Sequence, residues 1–380
     1  MMRSMTGPLS GPLAGLRVIE FAGIGPGPYA CLLLAELGAE VIRVDRPTSG
    51  GLDTAVLRRS RPSIAVDLKN PAGIEAVLTL VETADVVVEG LRPGVMERLG
   101  LGPDVCLARN PRIVYGRMTG WGQEGPMAER AGHDITYAAL TGALHATGSA
   151  DKPRNAVNLV ADFGGGTLFL VMGVLAALHE RTVSGRGQVV DAAMVDGAAS
   201  LMTMVYGMKA EGFWHDRREA NLLDGGTPFY DTYECADGKH VAVGALEGQF
   251  FAELMAGTGL SFEQYDFARW PEMRAALTET FKSKTRDEWA EIFDPTDACV
   301  APVLSLEEAP RHPHNVARGI FAPYRDGVAP RIAPVFSRTP ALAPGEIRDA
   351  GQDTTQVLEK AGFAADEITT LLEAGAVVQR

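Results

Sequence analysis

The sequence predicts an α/β protein built on a parallel sheet with helices on both faces. Two observations carry that reading. Short β-rich runs alternate with helical stretches through the first half of the chain. The 380 residues, 46% of them hydrophobic and 43 of them glycine, describe a folded enzyme-like chain with ample core. In order, RVIEF, EVIRVD, DVVVEG and RIVYGRM read as strands, and ACLLLAELG and AGIEAVLTLVET as helices between them. Residues 134–145 and 166–181 are helical and strongly apolar. QVVDAAMVDGAASLMTMVYGMKA then reads as one more strand followed by a long helix.

The character changes near Leu222. Two alternating strands flank Ala236-Asp237-Gly238-Lys239, a hairpin signal. Helices are expected at about 247–258, 272–282 and 285–293, before a proline-rich stretch from Pro302 to Pro344. The expected division is a large α/β domain of 1–194 and 330–380, a linker helix of 195–224, and a smaller α+β domain of 225–329. The C-terminal segment DTTQVLEKAGFAADEITTLLEAG reads as helix, turn, helix, with its packing partner not set by pattern.

A net charge of −13 argues against general nucleic-acid binding, which needs a basic footprint. It leaves room for an anionic small ligand gripped by local arginines. Cys31, Cys106, Cys235 and Cys299 stand apart with no CxxC pair and read as reduced thiols. The longest apolar run, Leu168 to Leu178, is short for a membrane span, and MMRSMTGPLSGPL lacks a signal-peptide core. The expectation is a cytoplasmic protein that engages no membrane.

Between the first two strands lies Gly23-Ile24-Gly25-Pro26-Gly27-Pro28. A nicotinamide fingerprint wants G-x-G-x-x-G, and here the third glycine position is proline, which has no N–H for phosphate. A tight turn that lets helix and sheet pack closely is the favoured reading. Asp45 sits roughly where a ribose-binding acid would, flanked by Arg43 and Arg46. His312-Pro313-His314 reads as a solvated loop ahead of a metal site, so no metal is expected.

Two glycine-rich stretches remain. GRMTGWGQEGPMAERAGHDITY delivers His133 to the start of an apolar helix, and in NLVADFGGGTLFLVMGVL Asp162 precedes three glycines and another helix. Singly, His133 reads as a satisfied histidine and Asp162 as an N-terminal capping carboxylate. Together they have the makings of an acid/base pair beside anion-stabilising amides.

At these residues the chain resembles the class III CoA-transferase superfamily and, within it, the α-methylacyl-CoA racemases. GLRVIEFAGIGPGPYA, LGAEVIRVDRP, DLKNPAG, EGLRPGVMERLGLG, GRMTGWGQEGP, AGHDITY, LVADFGGG, GRGQVVDAAMVDG and DGGTPFYDTYECADGKHVAVGALE carry the likeness, which spans nearly the whole chain. It implies a Rossmann-like sheet that binds the nucleotide end of coenzyme A, as part of the substrate, with no NAD and no metal. By resemblance, Arg46, Val66, Asp67, Leu68, Lys69, Gly90, Leu91, Arg92 and Arg98 form the CoA site. Gly132, Asp134, Ile135, Thr136 and Tyr137 continue it toward the thioester. Arg58, Arg59 and Arg61 form a further basic cluster, read here as a candidate for the phosphate mouth or for ordinary structure.

The same resemblance makes His133 and Asp162 the two acid/bases of a racemase acting on 2-methylacyl-CoA, with His133 facing the (S) and Asp162 the (R) substrate. Glu247 matches a glutamate that hydrogen-bonds the histidine. Backbone amides of the glycine run or at Gly132 are the candidates for binding the enolate. Met194, Met202, Met204 and Met208 read as core, with some of them lining an acyl pocket. An interlocked homodimer is implied, in which Glu247 of one chain would reach His133 of the other. The alternative is a CoA-transferase, where Asp162 would be a nucleophile.

Overall fold

The computed structural model describes residues 11–48 and 55–380. Most of the N-terminal stretch read above as lacking a signal core lies outside the described residues. The chain divides into two units, one of Met1–Ala143, Ala156–Met202 and Arg331–Arg380, the other of Leu144–Asn155 and Thr203–Pro330.

In the first unit, strand β1 (Arg17–Phe21) leads into helix α1 (Pro26–Glu36), followed by β2 (Glu40–Asp45), β3 (Ser63–Val66) and α2 (Pro71–Glu82). Strands β4 (Val86–Glu89), β5 (Val114–Thr119) and β6 (Val189–Ala193) complete the parallel array, with helix α3 (Val95–Arg98) following β4. The sheet order is β3-β2-β1-β4-β5-β6, and Val377–Val378 closes the β3 edge antiparallel. The chain therefore winds outward from β1 in one direction and then from β4 in the other. That reversal opens a crevice beyond the carboxyl ends of the strands.

Local chemistry explains the elements. Val86, Val87 and Val88 are each at most 1% exposed, as expected of a strand covered on both faces, where an apolar run replaces alternation. Helix α2 starts with Pro71 in its first turn, and the Asn70 side chain accepts a hydrogen bond from the Ala72 N–H. The C-terminal helix pair packs onto this core through Val357, Leu358 and Ile368. Asp353 fastens it by accepting from the Ser63 N–H at 3.0 Å.

The sequence reading missed β3, whose four residues SIAV are too short to show a period. The basic cluster left open between a phosphate mouth and ordinary structure resolves for two of its members. Arg59 is buried and forks onto Glu36, at 2.5 and 3.1 Å. Arg61 is buried against Glu20 at 2.6 Å and donates to the Pro28 carbonyl at 2.9 Å. A buried guanidinium needs a carboxylate, so these two hold α1 to the sheet and are not at a phosphate mouth. Arg58 stays part-exposed, 3.9 Å from Asp349. The helix expected after β6 is broken at Met202, giving α helices Met194–Leu201 and Thr203–Ala210.

The second unit contains an antiparallel three-stranded sheet of β7 (Tyr230–Glu234), β8 (His240–Gly244) and β9 (Val300–Pro302) in the order β9-β8-β7. The hairpin turns at Gly238, whose φ of 74° suits glycine. Helices Gly248–Thr258, Trp270–Phe281 and Arg286–Phe293 cover it, with Phe229, Tyr233, Phe281, Trp289 and Phe293 as the aromatic core. The third strand and a hairpin of Phe321–Tyr324 with Gly327–Pro330, inside the proline-rich stretch, were not anticipated.

Candidate active site

At the crevice of the first unit a cleft of about 520 Å³ is lined by Arg46, Val66, Asp67, Leu68, Lys69 and Leu91, over a floor that includes Phe21 and Val44. These are six of the residues expected at the CoA site. Gly90 packs toward Met118, and Arg92 and Arg98 are exposed on the adjoining loop and on α3. Asp67 turns its carboxylate to the Lys69 N–H at 3.0 Å and its own N–H to the Ala376 carbonyl at 2.9 Å. Arg46, Lys69, Arg92 and Arg98 make no ion pair among the described residues. Two cations in the cleft, Arg46 and Lys69, over an apolar floor suit a ligand that joins phosphates to a flat ring, with Arg92 and Arg98 on the adjoining loop and helix.

The opening glycine loop does not offer a second phosphate cradle. Helix α1 begins Pro26-Gly27-Pro28, so two of its first three residues have no N–H. Asp45 is already engaged by the Arg43 Nε, at 3.1 and 3.2 Å, and by the Ser63 hydroxyl at 2.7 Å. The loop packs against the segment that carries Asp162 instead. Gly25, at φ 70° and ψ −111°, lies so close to Asp162 that a Cβ there would be 3.8 Å from its Oδ2. The Thr167 hydroxyl donates to the Pro26 carbonyl at 2.8 Å, and Tyr29 stacks edge-on with Phe163.

His133 is the N-cap of helix α4 (Asp134–Leu140). The Thr136 hydroxyl accepts from the His133 N–H at 3.0 Å and donates to its carbonyl at 2.7 Å, which fixes the backbone and leaves the imidazole exposed. Gly132 and Gly120 flank the Tyr137 ring, where a Cβ on either would collide with it, and Trp121 meets that ring edge-on at 4.7 Å. Ile135 is exposed beside this cluster.

Asp162 stands in the first turn of a π-helical segment, Leu159–Leu168, continuous with helix Phe169–Ser184. π-helical turns are rare and recur at functional sites. Its Oδ2 accepts from the Asn158 amide at 2.7 Å. The buried Asp134 carboxylate accepts from the Ala161 N–H at 2.9 Å and the Asp162 N–H at 2.8 Å through one oxygen. Burial raises the Asp162 pKa above the ordinary carboxylate value; the Asn158 bond opposes this, Asp134 adds to it, and His133 opposes it. Tyr137 is pushed up to about 12 by its own burial and by the Asp162 charge.

The structure thus brings His133, Asp134, Tyr137 and Asp162 to one locus, and it adds Gly25, read above only as part of a tight turn, and Asn158, which the sequence reading did not single out. Only the Asn158–Asp162 spacing of four could have signalled the latter. The glycine run has a packing role that was not expected of it. A Cβ on Gly165 would lie 2.5 Å from the Ala198 nitrogen, and one on Gly166 would lie 2.8 Å from Met194 Cγ. These glycines let helix Met194–Leu201 pack against the segment. Met194 is core, 8% exposed. Glu247 is the exposed N-cap of Gly248–Thr258 in the second unit. Among the described residues, no group of three or more His, Cys, Asp or Glu side chains could hold a metal ion.

The chain is 47% identical to alpha-methylacyl-CoA racemase of Mus musculus over 367 residues, covering 94% of this chain and 96% of that protein. It is 44% identical to alpha-methylacyl-CoA racemase of Homo sapiens over the same length and coverage. Among solved structures, a CAIB/BAIF family protein from Brucella suis superposes with a TM-score of 0.78 at 26% identity, covering 93% of this chain and 100% of that one. A family model matches residues 13–354, and the chain belongs to CoA-transferase family III.

Proposed function

We propose that this chain is a racemase that interconverts (R)- and (S)-2-methylacyl-CoA thioesters by 1,1-proton transfer through an enolate. The observation that supports it best is the joining of two unlike acid/bases by one buried group: Asp134, next to His133, holds the Asp162 peptide. Two relatives at 44–47% identity bear the name of that activity.

In this mechanism the α-proton leaves to one group and the bonding pair moves onto the thioester oxygen. The enolate then collapses as the opposite group returns a proton to the other face. His133 takes the proton from the (S) substrate and Asp162 from the (R). The equilibrium lies near unity, so the two bases work best with proton affinities that are not far apart. A carboxylate raised by burial moves in that direction. The peptide groups at Gly132 and the start of α4, next to His133, are assigned to the oxyanion. The thioester itself delocalises the charge, so the chemistry calls for neither metal nor nicotinamide; coenzyme A enters as part of the substrate. The cations Arg46, Lys69, Arg92 and Arg98 are assigned to its phosphates, and Glu247 to the orientation of His133.

The protein is proposed to act as a cytoplasmic homodimer. Leu159, Leu168, Met172, Val183 and Leu201 are 50–84% exposed on the helices of the first unit, which is more apolar surface than a monomer usually leaves bare.

Incubation with a 2-methylacyl-CoA in heavy water, without any acceptor acid, tests the reading. Deuterium should enter the α-carbon. Passage of CoA to an added free acid with no exchange would instead make Asp162 a nucleophile and the chain a transferase.

A further inference from the structure

Asp134 belongs to the stretch assigned above, by resemblance, to the thioester end of the substrate, yet its carboxylate turns inward. The residue is 2% exposed, and a single oxygen accepts from two successive peptide N–H groups 27 and 28 residues away. We infer that Asp134 is a positioning residue of the racemisation: it fixes the Asp162 peptide against the start of the His133 helix and sets a second, buried carboxylate beside it. This rests on the racemase reading above.

A neutral acceptor such as Asn or Ser would cap two amides as well as Asp does. A full charge in the same buried place costs more; the first turn of α4, where a helix favours an acid, offsets part of that cost, and the charge gives Asp134 a function that a neutral cap lacks. The neighbours of Asp162 define that function. Helix α4 presents His133, Asp134 and Tyr137; the segment's own first turn presents Asn158; the start of α1 presents Gly25, which does not titrate. The packed face of Met194–Leu201 presents Gly197 and Ala198. Among these, Asp134 is the acid that adds to the effect of burial in raising the Asp162 pKa. It offsets the pull of a protonated His133 and keeps Asp162 basic enough to accept a carbon-bound proton.

D134N keeps an acceptor oxygen and removes the charge; D134A removes both. Two readouts apply to each: the ¹³C NMR titration of the Asp162 carboxyl, and the pH profile of kcat/KM with the (R) substrate. In D134N, the Asp162 titration and the acid limb should both move toward lower pH. In D134A, kcat should fall about 100-fold while KM for acyl-CoA changes by less than about threefold. A folded D134N whose titration and acid limb match the wild type would overturn the inference, as would a D134A defect confined to KM. Should D134N fail to fold, D134E retains the charge and displaces the oxygen. It should lose kcat with the Asp162 titration still raised, and a titration back in the ordinary range would count against the inference. A wild type that does not exchange the α-hydrogen sinks the racemase reading alone. The titration needs no substrate and decides the Asp134 claim separately.

Discussion

Gly25 is one residue on which both the turn and the chemistry depend. Its φ of 70° with ψ of −111° is open to glycine and costly for any residue with a Cβ. G25A should therefore lower stability by about 1–3 kcal/mol, read as a fall in the thermal midpoint. Because the loop abuts Asp162, kcat should fall as well. A second residue-scale expectation concerns Glu89, at the end of β4. Burial raises its pKa from 4.5 to about 7, against hydrogen bonds from the Leu91 N–H and Arg117. The folded state then binds this proton more tightly than the unfolded chain does. The associated stability is complete below about pH 4.5 and is lost as the pH rises through about 7. E89Q cannot titrate, so the stability of wild type relative to E89Q should decline over that window, by on the order of 3 kcal/mol. Parallel denaturant titrations at pH 4 to 8 check it, and a difference independent of pH would contradict it. Arg59 and Arg61 show what stays hidden at this scale. Their partners Glu36 and Glu20 lie 23 and 41 residues upstream, and no local pattern separates a buried ion pair from a basic patch.

At the scale of elements, the π-helical segment and helix Met194–Leu201 meet through glycine. A Cβ on Gly197 would fall 1.9 Å from the Gly165 carbonyl oxygen, a clash with backbone that no rotamer relieves. G197A should destabilise by about 3 kcal/mol or more, and the surviving folded protein should lose activity because the segment carries Asp162. Thermal melts and a racemisation assay read the two effects, and a fully active, wild-type-stable G197A would contradict the packing account. This contact also marks a limit of sequence reading. An apolar stretch preceded by Asp and three glycines has the same pattern in α and π geometry, and nothing in GGG separates a helix contact from an anion cradle. By contrast, β1, β2, β4 and β5 were legible, since apolar runs between turns are what a doubly covered sheet requires. Four-residue β3 was not, because its burial comes from α2 and the C-terminal helices, more than 280 residues away in the case of Asp353.

For the whole molecule, the α/β class and the smaller β-hairpin unit followed from alternation and turn chemistry. The identities of the CoA-site residues came from the resemblance of long segments; spacing alone left the opening loop ambiguous. Leu159–Ser184 is a continuous helical stretch of 26 residues, long and apolar enough to cross a membrane by composition, with 39% of its most apolar window buried. Its inner side packs on β5 and α1, with Val174 fully buried. The exposed remainder is the surface proposed to meet a second chain. Sedimentation should find two chains per particle, and a fully active monomer would refute the dimer.

The central claim is that His133 and Asp162 serve opposite faces of one carbon. Single-enantiomer exchange in heavy water, on H133N and D162N, tests it most directly. Both variants should lose racemisation by about 100-fold or more. H133N should still exchange the α-hydrogen of the (R) substrate with its configuration retained, and D162N that of the (S) substrate. If both variants exchange the same enantiomer, or if either still inverts at the wild-type rate, the two-base account fails.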